Sequence, residues 1–134
     1  MIYLLIPIIF YCLSGVLDAV MDTLKNHYSI SIFSKYDPML WNPDFSWRNK
    51  YINGDPAQGH KKIKVLGFTF NYPDALTDTW HIAKIVREGC NILAILSALL
   101  IPSIGLLGVI VMLVVLSVTR NNAFNIFWNK LLLK

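Results

Sequence analysis

Residues 89–119 contain no Asp, Glu, Lys or Arg, and neither do residues 1–17. Charge-free apolar runs of that length suit the interior of a bilayer, where an unpaired charge is costly. The whole chain is 55% hydrophobic and only 15% charged, where a soluble domain is about a quarter charged. Its 134 residues allow one domain at most. These constraints predict an all-α integral membrane protein.

The first apolar run is read as an anchor helix rather than a secretory signal. A signal peptide carries a basic segment before its apolar stretch, and here the first basic residue is Lys25. The second run poses a choice. As a single helix, residues 89–119 would measure roughly 46 Å, against a hydrocarbon core of ~30 Å. A break at Pro102-Ser103-Ile104-Gly105 would instead make a helical hairpin, since Pro removes a backbone donor and Gly tolerates reversal. Charge bias favours the hairpin, because all 12 Lys and Arg then share one side. Three transmembrane helices are therefore expected, with the N-terminus outside and the C-terminus cytoplasmic. Counting about 16 residues from the N-terminus reaches Asp18. The same count back and forward from the Pro102 break reaches Arg87 and Arg120, at about 24 Å in each case. The three helices thus become polar at one depth.

Four regions follow: helix 2–27, cap 28–73, helix 74–101 and helix 104–132, all within one membrane domain spanning residues 1–134. The cap combines six basic and three acidic residues with Trp41 and Trp47. Residues 29–33 and 64–70 alternate as strands do, so the cap is mixed and is expected to hold a small β-hairpin. Asp37-Pro38, Asn42-Pro43 and Asn53-Gly-Asp-Pro56 are turn signals. Trp41, Trp47, Phe68 and Phe70 are expected to hold this cap onto the helices. Cys12 and Cys90 fall in or beside apolar runs and read as packing residues.

Five of the eight acidic residues lie on the helices. Tyr11, Ser14, Asp18, Asp22 and Lys25 fall within about 80° of one helical face, and Asp74, Thr77, Asp78, His81, Lys84 and Glu88 within about 120° of another. Asp18, Asp22, Asp78 and His81 could converge as ligands of one divalent metal, with carboxylate oxygens and one imidazole suiting Mg, Mn, Fe or Zn. Alternatively they form a salt-bridge network with Lys25, Lys84, Arg87 and Glu88 and hold no cofactor. Asp74 after Pro73 reads as a helix N-cap, and Asp78 suits the first turn. Asp18 and Asp22 stand late in their helix, where carboxylates oppose the dipole, so they need compensation. Lys61, Lys62 and Lys64 beside His60 suit lipid headgroups and are too few to argue for nucleic acid. His27 points away from the Asp18 face and reads as cap packing.

No hydrolase elbow, phosphate loop, zinc-protease or Cys-x-x-Cys motif occurs in the chain. Ser46-Trp-Arg-Asn-Lys-Tyr-Ile-Asn-Gly-Asp-Pro56 and Asp78-Thr-Trp-His81 resemble words found in small membrane proteins of Bacteroidota and their phages, a group without known activity. The resemblance implies a bacterial inner membrane or a virion internal membrane. The leading expectation is an accessory or structural subunit of a membrane assembly, contacting lipid, other membrane subunits or itself. A metal-dependent membrane enzyme using the Asp/His set is the alternative. A holin-like pore former is a third, which an ordered aromatic cap fits poorly.

Overall fold

A computed structural model describes residues 2–101 and 105–132. The chain is mostly helical. There are three long helices, α1 (Ile2–Asn26), α2 (Thr79–Leu99) and α3 (Leu106–Phe127), and a cap of short helical turns connects α1 to α2. The cap includes one antiparallel hairpin, β1 (Lys62–Val65) and β2 (Phe68–Asn71). Gly105 is the N-cap of α3, so the charge-free run is divided between two helices. The expected Pro102 turn itself lies outside the described residues.

α1 is the central helix and packs against both others. Small residues let it do so. Gly15 lies so close to α3 that a Cβ there would overlap the Arg120 carbonyl oxygen and stand 3.2 Å from the Ala123 Cβ. Ala19, one turn later, is fully buried. Small residues spaced four apart are what membrane helices use for close backbone approach. Against α2, Ser14 and Asp18 of α1 meet Asn91 and Arg87 respectively. The numbers run in opposite directions, so α2 is antiparallel to α1. The pairs along α3 rise together (Ile8 near Gly108, Gly15 against Arg120), so α3 is parallel to it. The start of α1, the end of α2 and the start of α3 therefore share one end of the molecule.

That end is apolar and unshielded. Leu5, Ile9, Ile92, Leu96, Leu107, Val111 and Val114 are all exposed. Segments Leu5–Asn26 and Leu107–Lys130 are long and apolar enough to cross a membrane, and most of the apolar stretch in each is not buried. A soluble core helix would bury such a surface. α2 carries Lys84, Arg87 and Glu88 in its first half, so its apolar part begins only at Gly89.

The opposite end holds the packed core. Ala19, Leu24, Phe33 and Leu132 are buried together, with Trp41, Trp80, Phe124 and Trp128 against them. The end of α3 widens into a π-helical turn, Trp128–Leu132, and Trp128 meets His27 edge-on at 5.3 Å.

The cap departs from its expected form. Residues 29–33 are not a strand but two 3-10 turns, Tyr28–Ile30 and Ile32–Lys35. Buried Ser31 accepts from the Phe33 N–H at 3.1 Å and donates to the Tyr28 carbonyl at 2.8 Å. Those local bonds offer the backbone an alternative to strand pairing. Asp37-Pro38, Asn42-Pro43 and Asp55-Pro56 each open a short helical turn, because the Asx side chain accepts the N–H two residues on and Pro suits the first helical position. Trp41 stacks on Phe33 at 5.0 Å and holds the cap to the helices. Trp47, Phe68 and Phe70 do not, as all three are exposed.

The second expected helix begins later than residue 74. Residues Asp74–Leu76 form a 3-10 turn, and α2 starts at Thr79 with Asp78 as its N-cap. Asp74 caps nothing through its side chain. It pairs instead with Lys50 at 3.4 Å.

Candidate functional site

The polar layer lies where the three helices leave their apolar end. Asp18 accepts from Arg87 Nη1 at 2.9 Å through one carboxylate oxygen and from Arg120 Nε at 2.9 Å through the other, with Arg120 Nη2 also on the second oxygen. Arg87 Nη2 reaches Glu88 on its other side. Asn91 donates to Glu88 at 3.3 Å and accepts from Ser14 at 2.7 Å. One connected network thus crosses α1, α2 and α3. Its two arginines and two carboxylates sum to zero charge. Pairing the charges in this way offsets the cost of partly burying them, although Arg87 Nε is itself buried without a partner among the described residues. It also answers the dipole problem of Asp18, whose late position in α1 is compensated by two guanidiniums.

The other candidate residues separate from it. Asp22 accepts from Asn26 at 2.8 Å, one turn along α1. Asp78 is buried and spends its carboxylate on the start of α2, accepting from the His81 N–H at 2.8 Å and meeting His81 Nδ1 at 2.9 Å. Thr77 Oγ1 also donates to it at 3.3 Å. Lys84 lies over the Trp80 ring at 5.5 Å and also favours the charged form of Glu88, four residues on. His60 packs on Tyr51 at 4.8 Å. Lys62 and Lys64 are exposed on β1, with Lys61 exposed just before them.

Two grooves flank this layer and divide the candidates between them. A groove of about 470 Å³ is bordered by Asp18, Asp22, Lys25, Trp80 and Arg87. His81 opens instead onto another, of about 540 Å³, with Lys84 and Glu88. The proposed metal ligands Asp18, Asp22, Asp78 and His81 are therefore not brought together around one point. Among the described residues, no three His, Cys, Asp or Glu side chains are grouped to hold a metal ion. The physical reason is local competition. Asp78 is saturated by its own helix start, and Asp18 by two arginines. Cys12 and Cys90 are free thiols.

Asn91 was not anticipated from the sequence, and Ser14 and Arg120, though placed on the Asp18 face and at its depth, were not assigned to its ion network. Arg120 carried a signal, as the first charge after a run of 31 apolar or uncharged residues. Nothing in helical phase alone pointed from it to Asp18. Compared with protein families, curated proteins and solved structures, the chain matches none of them.

Proposed function

We propose that the chain is a three-span integral membrane protein acting as an accessory or structural subunit of a membrane assembly, through contacts with lipid and with other membrane subunits or copies of itself. The observation that carries this reading is the polar layer at Asp18, Arg87 and Arg120, beyond which each helix is free of charge. On one side of that layer three helices present exposed apolar side chains, and on the other they enter an aromatic, hydrogen-bonded cap. The ion network has the character of a fastener, with the carboxylate oxygens of Asp18 engaged by arginine.

In this reading the N-terminus lies on the outer face, and the cap and C-terminus are cytoplasmic. Every Lys and Arg then falls on the cytoplasmic side. The apolar part of each helix spans about 13–16 residues, or about 20–24 Å, somewhat less than a ~30 Å hydrocarbon core. Long arginine and lysine stems reach outward to the headgroups across that difference, aided by local thinning of the bilayer. The membrane is a bacterial inner membrane or the internal membrane of a virion.

Topology reporters fused at residues 1, 60, 103 and 134 test the reading. Positions 60 and 134 should report one side and positions 1 and 103 the other. Opposite signals from 60 and 134 would rule out three spans. Native electrophoresis in mild detergent tests the assembly, which should migrate above the 15.3 kDa of one chain. A species that is solely monomeric would remove that part of the proposal.

A further inference from the structure

The β1–β2 hairpin is amphipathic, and among the described residues its apolar face is mostly exposed. The register pairs Lys62 with Asn71, Ile63 with Phe70, Lys64 with Thr69 and Val65 with Phe68. Opposed residues share a face, so Ile63, Val65, Phe68 and Phe70 line one side and Lys62, Lys64, Thr69 and Asn71 the other. Phe68 is 70% exposed and Leu66, at the tip, 94% exposed. A lone two-stranded ribbon is marginal in water unless its apolar face packs on something.

The turn adds an independent sign. Leu66 and Gly67 both have positive φ, at +49° and +85°, as the tightest hairpin turns require. Asn, Asp or Gly normally fills the first of these positions, and a leucine there is strained. Strain retained at an exposed tip points to a use for the side chain itself.

We infer that this hairpin is a lipid-anchoring wedge, in which Leu66, Phe68 and Phe70 enter the interfacial layer of an anionic leaflet while Lys61, Lys62 and Lys64 hold its phosphate groups. The inference rests on the membrane reading above and deepens it. Charge complementarity selects the occupant. Residues 57–73 contain three lysines and no Asp or Glu, which suits a sheet of phosphates. A second copy of the hairpin would bring three like charges onto three. The hairpin and the apolar helices belong to one chain, so insertion of the hairpin is an intramolecular step once the helices are in the bilayer. Lys62 and Lys64 lie on the face opposite Phe68 and Phe70, so the hairpin enters tip first, with the lysine stems bending back to bring their ammonium groups to headgroup level.

The test uses the full chain in nanodiscs of phosphatidylcholine, alone or mixed with phosphatidylglycerol. An environment-sensitive fluorophore is placed at Leu66→Cys in a Cys12→Ala/Cys90→Ala background, with Ile110→Cys on α3 and Ala57→Cys in the cap as references. Brominated lipid should quench the probes at 66 and 110 and leave the one at 57 unaffected. Replacing Lys61, Lys62 and Lys64 by Gln should lower the ratio of inserted to free hairpin about fivefold per charge, in the anionic discs only. A probe at 66 that stays in water while the one at 110 is quenched overturns the wedge and leaves the membrane reading standing. A probe at 110 that escapes quenching overturns the membrane reading itself. A probe at 66 that is shielded equally in all lipids assigns the face to protein contact and also overturns the wedge. Wild-type chain provides a second measurement if the variants do not fold. Trypsin should cut at residues 61–64 more slowly on anionic discs than on phosphatidylcholine, and equal rates overturn the proposal.

Discussion

Gly15 of α1 lies directly against the backbone carbonyl of Arg120 on α3, with no room between them for a Cβ. That close approach brings the two helices near enough for Asp18, less than one turn further along α1, to receive the Arg120 guanidinium. The apolar packing and the ion network are therefore one construction. A spacer at position 15 would push apart both the helix backbones and the charges.

Gly15→Ala should accordingly destabilise the protein by about 1–3 kcal/mol, because the overlap is with backbone that cannot rotate away. Helix propensity alone favours Ala by up to about 1 kcal/mol, so the sign of the effect decides between the two terms. Gly89→Ala is the control. A Cβ at Gly89 meets nothing within 4 Å, and that variant should be neutral or slightly stabilised. Thermal unfolding in detergent micelles measures both.

Asp18→Asn leaves two guanidiniums side by side with only Glu88 to balance them. The expected loss is about 1–3 kcal/mol, below the range for a fully buried pair because Arg120 is partly exposed. Asp22→Asn, whose described contact is with neighbouring Asn26, should stay within about 0.5 kcal/mol of wild type. In a double-mutant cycle, Asp18→Asn and Arg120→Gln should be non-additive by about 0.5–3 kcal/mol. Additive losses would show that the contact does not couple the helices.

Asp78→Ala should cost about 1–2 kcal/mol, since the buried carboxylate caps α2 through the His81 N–H. Asp74→Ala should cost at most about 0.5 kcal/mol, because its carboxylate is largely exposed and pairs with Lys50 at the surface. Urea titration of the two variants side by side gives the comparison. An Asp74 loss equal to that of Asp78 would move the helix start back to residue 74.

Trp41→Ala should loosen the cap by about 2 kcal/mol, as the ring is half-buried and stacked on Phe33. Trp47→Ala should have less than half that effect, given its exposure. Limited proteolysis across residues 35–65 in detergent follows the cap directly, with faster cutting expected in the Trp41 variant alone.

Much of the architecture is legible without tertiary contacts. The charge-free runs mark where the helices are apolar, and the break near Pro102 agrees with α2 ending at Leu99 and α3 beginning at Leu106. Strand alternation in residues 64–70 points to the observed hairpin. The same alternation misleads at residues 29–33, because Ser31 can bond its own neighbours and so stabilises turns over a strand. The Asx-Pro words are legible as turns, though not as the helical turns they become.

The sequence by itself determined the apolar lengths, the depth at which each helix becomes polar and the side of its own helix on which each charge lies. Those properties depend on spacing along one chain segment, and a helical period converts spacing into angle and height. Only the tertiary structure decided that Asp18 meets Arg87 and Arg120 rather than His81. Helical phase carries no information about how one helix is rotated against another. That rotation follows from where backbones can approach, at Gly15 against α3. It follows equally from which polar groups are already occupied locally, as Asp78 is by the start of α2.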